Sequence, residues 1–233
     1  MLLPGYPSLP RRPPWWAVNR VGRRWLGDIG SDPLRLWTFQ SEDAYRQLAA
    51  TGSLVPLPEH RGSDFVRSYE WMEQVAGDRL TTDGPSLLWL WARVTRADLC
   101  RNAQHARGDV LLELLLPRSR VVLSHYDEWH SVLNESIVVT PRRGVNDDEW
   151  WARTEPLLDA FRERLTALGL PIGLGRMRSW PDAWRREVRA TWPGVLDQSW
   201  WKPTDYVQAV THQLHADDVV QAVRITGTRS PPI

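Results

Sequence analysis

The densest run of ionisable side chains is Ser124-His125-Tyr126-Asp127-Glu128-Trp129-His130. Carboxylates beside imidazoles are the usual groups of general acid–base catalysis. Asp127 and Glu128 can serve as acid or base there, with His130 beside them, although nothing in the run specifies a nucleophile. His125 and His130 stand five apart and diverge by about 140° on a helix. They therefore make a poor chelate, unlike the i, i+4 pair of a zinc protease. The competing reading is a capped surface helix with Trp129 turned into the core. A second constellation, His212, His215, Asp217 and Asp218, has donors suited to zinc. Such residues also make ordinary turns, and no metal is expected. The loop Gly169–Gly175 lacks the Lys-Ser/Thr of a phosphate cradle, and it trails a helix instead of following a strand. Cys100 has Arg96 and Arg101 nearby, which can lower a thiol pKa.

Tryptophan offers other chemistry. There are fifteen, against three Phe and five Tyr. Several are paired, as in Trp15-Trp16, Trp150-Trp151, Trp200-Trp201 and the alternating Trp89 and Trp91. An indole fills a core or offers a stacking face with one N–H donor. Lys202 is the sole lysine among 29 basic residues. Trp180, Trp184 and Trp192 lie among Arg176, Arg178, Arg185, Arg186 and Arg189. That mixture fits a surface for nucleic acid or a membrane face. It equally fits indoles that anchor a short helix, with arginines stacked over them.

These residues need a scaffold. The chain has 233 residues, 42% apolar and 24% charged, and a net charge of +1. That composition is ordinary for a globular chain able to bury its own core. One cysteine excludes an internal disulfide and suits a reducing, cytoplasmic setting. No apolar run reaches the roughly 18 residues of a membrane span. The opening MLLPGYPSLPRRPPWW lacks signal-peptide order, because its charges follow the apolar residues and prolines interrupt them.

Periodicity and caps give the elements. Leu34–Gln40 reads as a strand. Ser41 caps the next helix and Gly52 stops it. Ser63 caps a second helix that Gly77 ends. Leu87–Val94 and Asp109–Leu116 read as strands, and Pro117 breaks the second before Val121–Leu123 resumes. Ser124 with Asp127 approximates a capping box. Ser136–Thr140 reads as a short strand. Asn146 with Glu149 opens a helical stretch to about Leu168, divided at Pro156 with Thr154 as a fresh cap. Pro181 begins another helix, and residues 193–204 read as irregular. Tyr206–Leu214 and Val219–Ile225 read as final strands, joined by the turn at residues 215–218. The expected fold is α+β, a mixed sheet with flanking helices in one large domain over residues 34–225. Residues 1–33 form a Pro/Arg/Trp-rich arm, partly disordered, and 226–233 a tail.

Leu36–Leu54 (LWTFQSEDAYRQLAATGSL) resembles the opening of an uncharacterised bacterial family, one of the domains of unknown function. So do Ser68–Gln74, the Trp89-x-Trp91 strand, Val121–Asn134 and Val207–Val223. More distantly, the order of strand, Gly-ended helix and late Gln-Ala strand is similar to ADP-ribosyltransferase folds. That resemblance implies NAD, with a ring stacked on an aromatic and a late Glu on the nicotinamide ribose. No Glu follows Glu187 here. Gln208, Gln213 and Gln221 stand on the last strands, and Glu113 is the nearest substitute.

Two functions follow as expectations. The first is a nucleotide-binding transferase using NAD or a similar ligand. Its ligand-binding residues would be Thr38, Gln40, Trp89, Trp91 and Gln208, and its catalytic residues Glu113, Asp127 and His130. A deep tryptophan-lined pocket would mark it. The second is a non-catalytic interaction protein whose Trp/Arg-rich surface meets nucleic acid or a protein. Tryptophans that are simply core form the third possibility.

Overall fold

The computed structural model describes residues 25–58, 65–105, 109–140, 145–172 and 175–225. The arm up to residue 24, the Ser63 cap, and the tail 226–233 lie outside the described residues. The elements in chain order are β1 (Trp25–Leu26), β2 (Leu34–Gln40), α1 (Glu42–Thr51), β3 (Ser53–Leu54), α2 (Val66–Arg79), β4 (Leu88–Thr95) and α3 (Arg96–His105). There follow β5 (Val110–Leu116), β6 (Val122–His125), α4 (Tyr126–Leu133), α5 (Asp147–Ala167), α6 (Asp182–Arg189), β7 (Val207–Thr211), β8 (Leu214–His215) and β9 (Val219–Arg224). The fold is α+β. Its described residues resolve into two compact units, the first within 25–58, 76–123 and 206–225, the second within 65–75 and 124–205.

The first unit is built on a sheet of order β6-β7-β4-β2-β5-β9, with β1 paired to β4. Every pair with a defined register is antiparallel. The β2–β5 ladder is complete, from Leu34 opposite Leu116 to Gln40 opposite Val110. The β2–β4 ladder is registered only at Trp37 and Trp91. Just beyond it, the Thr38 hydroxyl donates to the Trp89 carbonyl at 3.0 Å, which satisfies a group the ladder misses. Gly27, at φ +89°, lets β1 end against β4, since a Cβ there would sit 1.9 Å from the Ala92 carbonyl oxygen. α1 behaves as its sequence implies. Ser41 Oγ accepts from the Ala44 N–H, and Gly52 closes the helix in the left-handed region.

Several expectations are corrected. Gly77 lies inside α2, which continues to Arg79. α3 was not expected at all. It starts directly from β4, with Thr95 Oγ1 accepting from the Asp98 N–H at 3.1 Å. Leu99 and Ala103 of its side chains join the core, against Trp37, Val94 and Leu111. The expected strand Tyr206–Leu214 ends at Thr211 as β7, which pairs with β4, and Leu214–His215 forms the separate β8, while β9 pairs with β5.

The second unit has few ladders and uses indoles instead. Trp71 stacks on Trp129 at 6.4 Å and meets Trp192 edge-on at 5.6 Å. The Trp192 N–H donates to the Ser136 carbonyl (2.9 Å), that of Trp180 to Pro171 (2.8 Å), and that of Trp200 to Gly194 (3.2 Å). Each donor thus satisfies a carbonyl in an irregular segment, which a ladder would otherwise have paired. α5 runs unbroken through Pro156. The missing N–H leaves the Ala152 carbonyl unpaired, but Ala152 and Pro156 are both exposed, so water can bond it. Ser136–Thr140, expected as a strand, belongs to no ladder.

Candidate functional site

In the first unit, register places Gln208 (β7), Trp91 (β4), Trp37 (β2), Glu113 (β5) and Gln221 (β9) in one transverse row. Directly opposed residues share a face of a sheet. Three of the expected site residues, Trp91, Glu113 and Gln208, therefore stand on one face. Trp89, two residues before Trp91, lies on that face as well. Thr38 and Gln40 alternate to the other face, and there Gln40 Nε2 donates to Thr38 Oγ1 at 2.9 Å. The sheet thus separates the two halves of the expected ligand set.

Within the row, the Glu113 carboxylate is held by Arg35 Nη1. Trp91 is half-buried beside Tyr206, at 6.4 Å. Tyr206 donates its hydroxyl to Asp98, and burial together with that carboxylate pushes the phenol pKa up. Gln208 is buried, and among the described residues its Nε2 has no hydrogen-bond partner. Trp37 Nε1, two strands away, is also buried and unpaired.

α4 is organised differently from the sequence reading. Ser124 belongs to β6, and His125 is the cap, its Nδ1 accepting the Glu128 N–H at 3.2 Å. With Nδ1 accepting, the ring's one N–H is on Nε2, which lies 3.2 Å from Asp205 Oδ2. Trp200 covers the ring at 4.5 Å. Both imidazole nitrogens are committed, so His125 has no free nitrogen for proton transfer. Asp127 and His130 are exposed, and His130 Nδ1 lies 3.0 Å from the Tyr126 carbonyl. The buried carboxyl on this helix is Glu128. Burial raises its pKa, partly offset by His125 and by a hydrogen bond from Ser131.

The remaining constellations are structural. Asp218 accepts from Arg120 with both oxygens, at 2.7 and 2.9 Å, and from the His215 N–H at 2.6 Å. Among the described residues no group of three or more His, Cys, Asp or Glu can hold a metal. Burial pushes the Cys100 thiol up more than Arg96 lowers it, the reverse of nucleophile activation. In the Trp/Arg segment, Trp180 and Trp192 are buried. Arg164 lies over Trp184 at 4.3 Å and Arg189 over Trp192 at 5.6 Å.

What the sequence reading missed is a groove in the second unit. A cavity of about 450 Å³ lies between α5 and the Ile137–Thr140 segment, bounded by Phe161, Arg164 and Glu187. A second, of about 260 Å³, is bounded by Val145, Trp150 and Arg153. Val139, Thr140 and Leu157 line both. The 450 Å³ volume falls in the range of ligand sites. Leu157 is 53% exposed. Its spacing with Ala160, Phe161 and Arg164 was a readable helical stripe. The β-branched run Ile137–Thr140 was read, but as one more strand of a sheet.

Sheet, indole-filled second unit and groove define an α+β protein with a candidate binding surface along one long helix. The chain belongs to the family described as Domain of unknown function (DUF3841), whose model matches residues 35–220. No curated protein and no solved structure matches it. Among the described residues no helix is long and apolar enough to cross a membrane.

Proposed function

We propose that this protein is a non-catalytic interaction protein that holds a partner along α5 of its second unit. The observation that carries this reading is Leu157, 53% exposed on the wall shared by both cavities. Trp151 on the same helix, and Leu168 and Ile172 just beyond it, are also more than half exposed. Apolar side chains gathered on one exposed element mark an interaction surface. The test is in-cell photo-crosslinking, with a benzophenone amino acid in place of Leu157 or, as control, of exposed Val220. A discrete adduct from position 157 alone is expected. Absence of any adduct, or one pattern from both positions, would refute the reading.

A second reading keeps a nucleotide such as NAD as ligand of the first unit. Its support is the buried, unpaired Gln208 Nε2 in the same row as half-buried Trp91. A ligand bound by the folded state alone raises the melting temperature. This reading requires a rise with millimolar NAD, ADP-ribose or ATP that Gln208→Leu abolishes. No rise with any of the three would eliminate it.

A further inference from the structure

Building on the interaction reading above, we propose that the α5 groove takes an extended peptide segment of the partner. That segment pairs through its main chain with Ile137 and Val139 and carries an acidic side chain toward Arg153.

The argument starts from the backbone of residues 136–140. This stretch joins no ladder, yet Val138 and Thr140 both turn a γ carbon toward Gly194, the period-two spacing of an extended chain. Its hydrogen bonding alternates. The Ser136 carbonyl accepts from Trp192 Nε1 at 2.9 Å, and the Val138 N–H donates to Thr191 Oγ1 at 2.9 Å. In an extended chain, neighbouring residues direct their N–H and C=O groups to opposite sides. The N–H and C=O of Ile137 and Val139 therefore point away from Thr191 and Trp192. Among the described residues they meet no protein partner. Unpaired strand edges of this kind accept an added strand.

The groove beside that edge suits such a strand. The two cavities share Val139, Thr140 and Leu157. An added strand sends every second side chain to one face, about 7 Å apart, so neighbouring side chains on that face can enter neighbouring cavities. The charge on the walls selects among peptides. Arg153 borders the smaller cavity and Arg164 the larger. Glu187 is the carboxylate on the larger cavity's wall, 3.3 Å from Arg164. Among the described residues Arg153 pairs with Glu149 alone, four residues back on the same exposed helix face. Such pairs are weak and exchange readily. A peptide with alternating apolar residues and a flanking Asp or Glu complements both walls.

The test is selection from an mRNA-displayed library of capped ten-residue peptides against the full chain. Enriched peptides are then synthesised with an N-methyl group at each backbone position in turn. Every second N-methyl should weaken binding tenfold or more, with the positions between staying within about twofold. Val139→Pro, which removes the Val139 N–H, and Leu157→Asp should each weaken it at least tenfold with unchanged melting profiles. Arg153→Gln should weaken acidic peptides more than their amide counterparts. Uniform tolerance of N-methylation overturns the proposal. So does failure to enrich any peptide over the Leu157→Asp protein. If position 157 still gives discrete cellular adducts in that case, the interaction reading stands and only the extended-peptide occupant falls. Sedimentation showing a dimer that Leu157→Asp breaks would overturn it in favour of a second copy of this chain.

Discussion

Arg120 grips Asp218 with both terminal guanidinium nitrogens, ninety-eight residues away in sequence. The two side chains are 13% and 9% exposed. Arg120 also donates to the Gln213 carbonyl at 3.0 Å, so one side chain fixes the turn between β8 and β9. A buried pair of this geometry is costly to break and cheap to replace whole. Arg120→Ala should destabilise the protein by about 3–5 kcal/mol, because it leaves Asp218 without its cation. Arg120→Met with Asp218→Asn should recover most of that loss. Urea unfolding of the three variants checks the order, and a double variant as unstable as Arg120→Ala would contradict it.

Glu128 gives a pH signature. Burial lifts its folded-state pKa above the unfolded value, which lies near 4.3. A carboxyl with a raised folded pKa favours the folded state while protonated. That contribution is complete below the unfolded value and is lost as pH rises through the folded one. Glu128→Gln should therefore raise the melting temperature at pH 7 and have little effect at pH 3.5. A melting-temperature difference independent of pH would contradict the sign.

Gly27 and Gly52 both have positive φ, yet only Gly27 is closely approached. A Cβ at Gly27 would lie 1.9 Å from the Ala92 carbonyl oxygen, whereas at Gly52 nothing lies within 4 Å. Gly52→Ala should cost about 1 kcal/mol, the strain of a left-handed alanine. Gly27→Ala should cost about 3 kcal/mol or more, a core-strain effect. At roughly 2–4 °C per kcal/mol for this chain length, scanning calorimetry separates the two easily.

Trp192 is fully buried and donates to the Ser136 carbonyl. Trp192→Phe keeps an aromatic ring but removes the donor, and should cost about 1–3 kcal/mol for the carbonyl left unsatisfied. Trp151→Ala, at an exposed position, should stay within about 0.5 kcal/mol. Equal losses in thermal unfolding would mean that the indole N–H is not what matters.

Local signals were legible where one residue settles the backbone. Ser41 and Gly52 bounded α1, Asn146 opened α5, and the apolar runs of β2 and β5 gave their limits to within one residue. Signals failed where a distant group decides. Pro156 looked like a break because its N–H is missing, but Ala152, whose carbonyl it leaves without that donor, is exposed. Ser124 looked like a cap, yet the neighbouring imidazole takes that place because Asp205 holds its other nitrogen. Of the expected site residues, Trp89, Trp91, Glu113 and Gln208 share a sheet face, while Thr38 and Gln40 fall on the other. Only strand register decides that, and register depends on which strands become neighbours. The groove was hidden for the same reason, since an extended run without a neighbour looks in sequence like any other strand.

The indole pegs of the second unit also bear on how this family can drift. A ladder tolerates exchange, because any residue but proline supplies the same backbone donor. A peg does not, because no other side chain joins that breadth of ring to a single N–H at its edge. Positions 180, 192 and 200 should therefore stay tryptophan in relatives that keep these loops, whatever those relatives bind. Where a relative lacks one, the carbonyl it served at 171, 136 or 194 must have been rebuilt around another donor. Much of this chain's tryptophan content is then a record of architecture, and its loss along a lineage would date a change of loop before any change of partner.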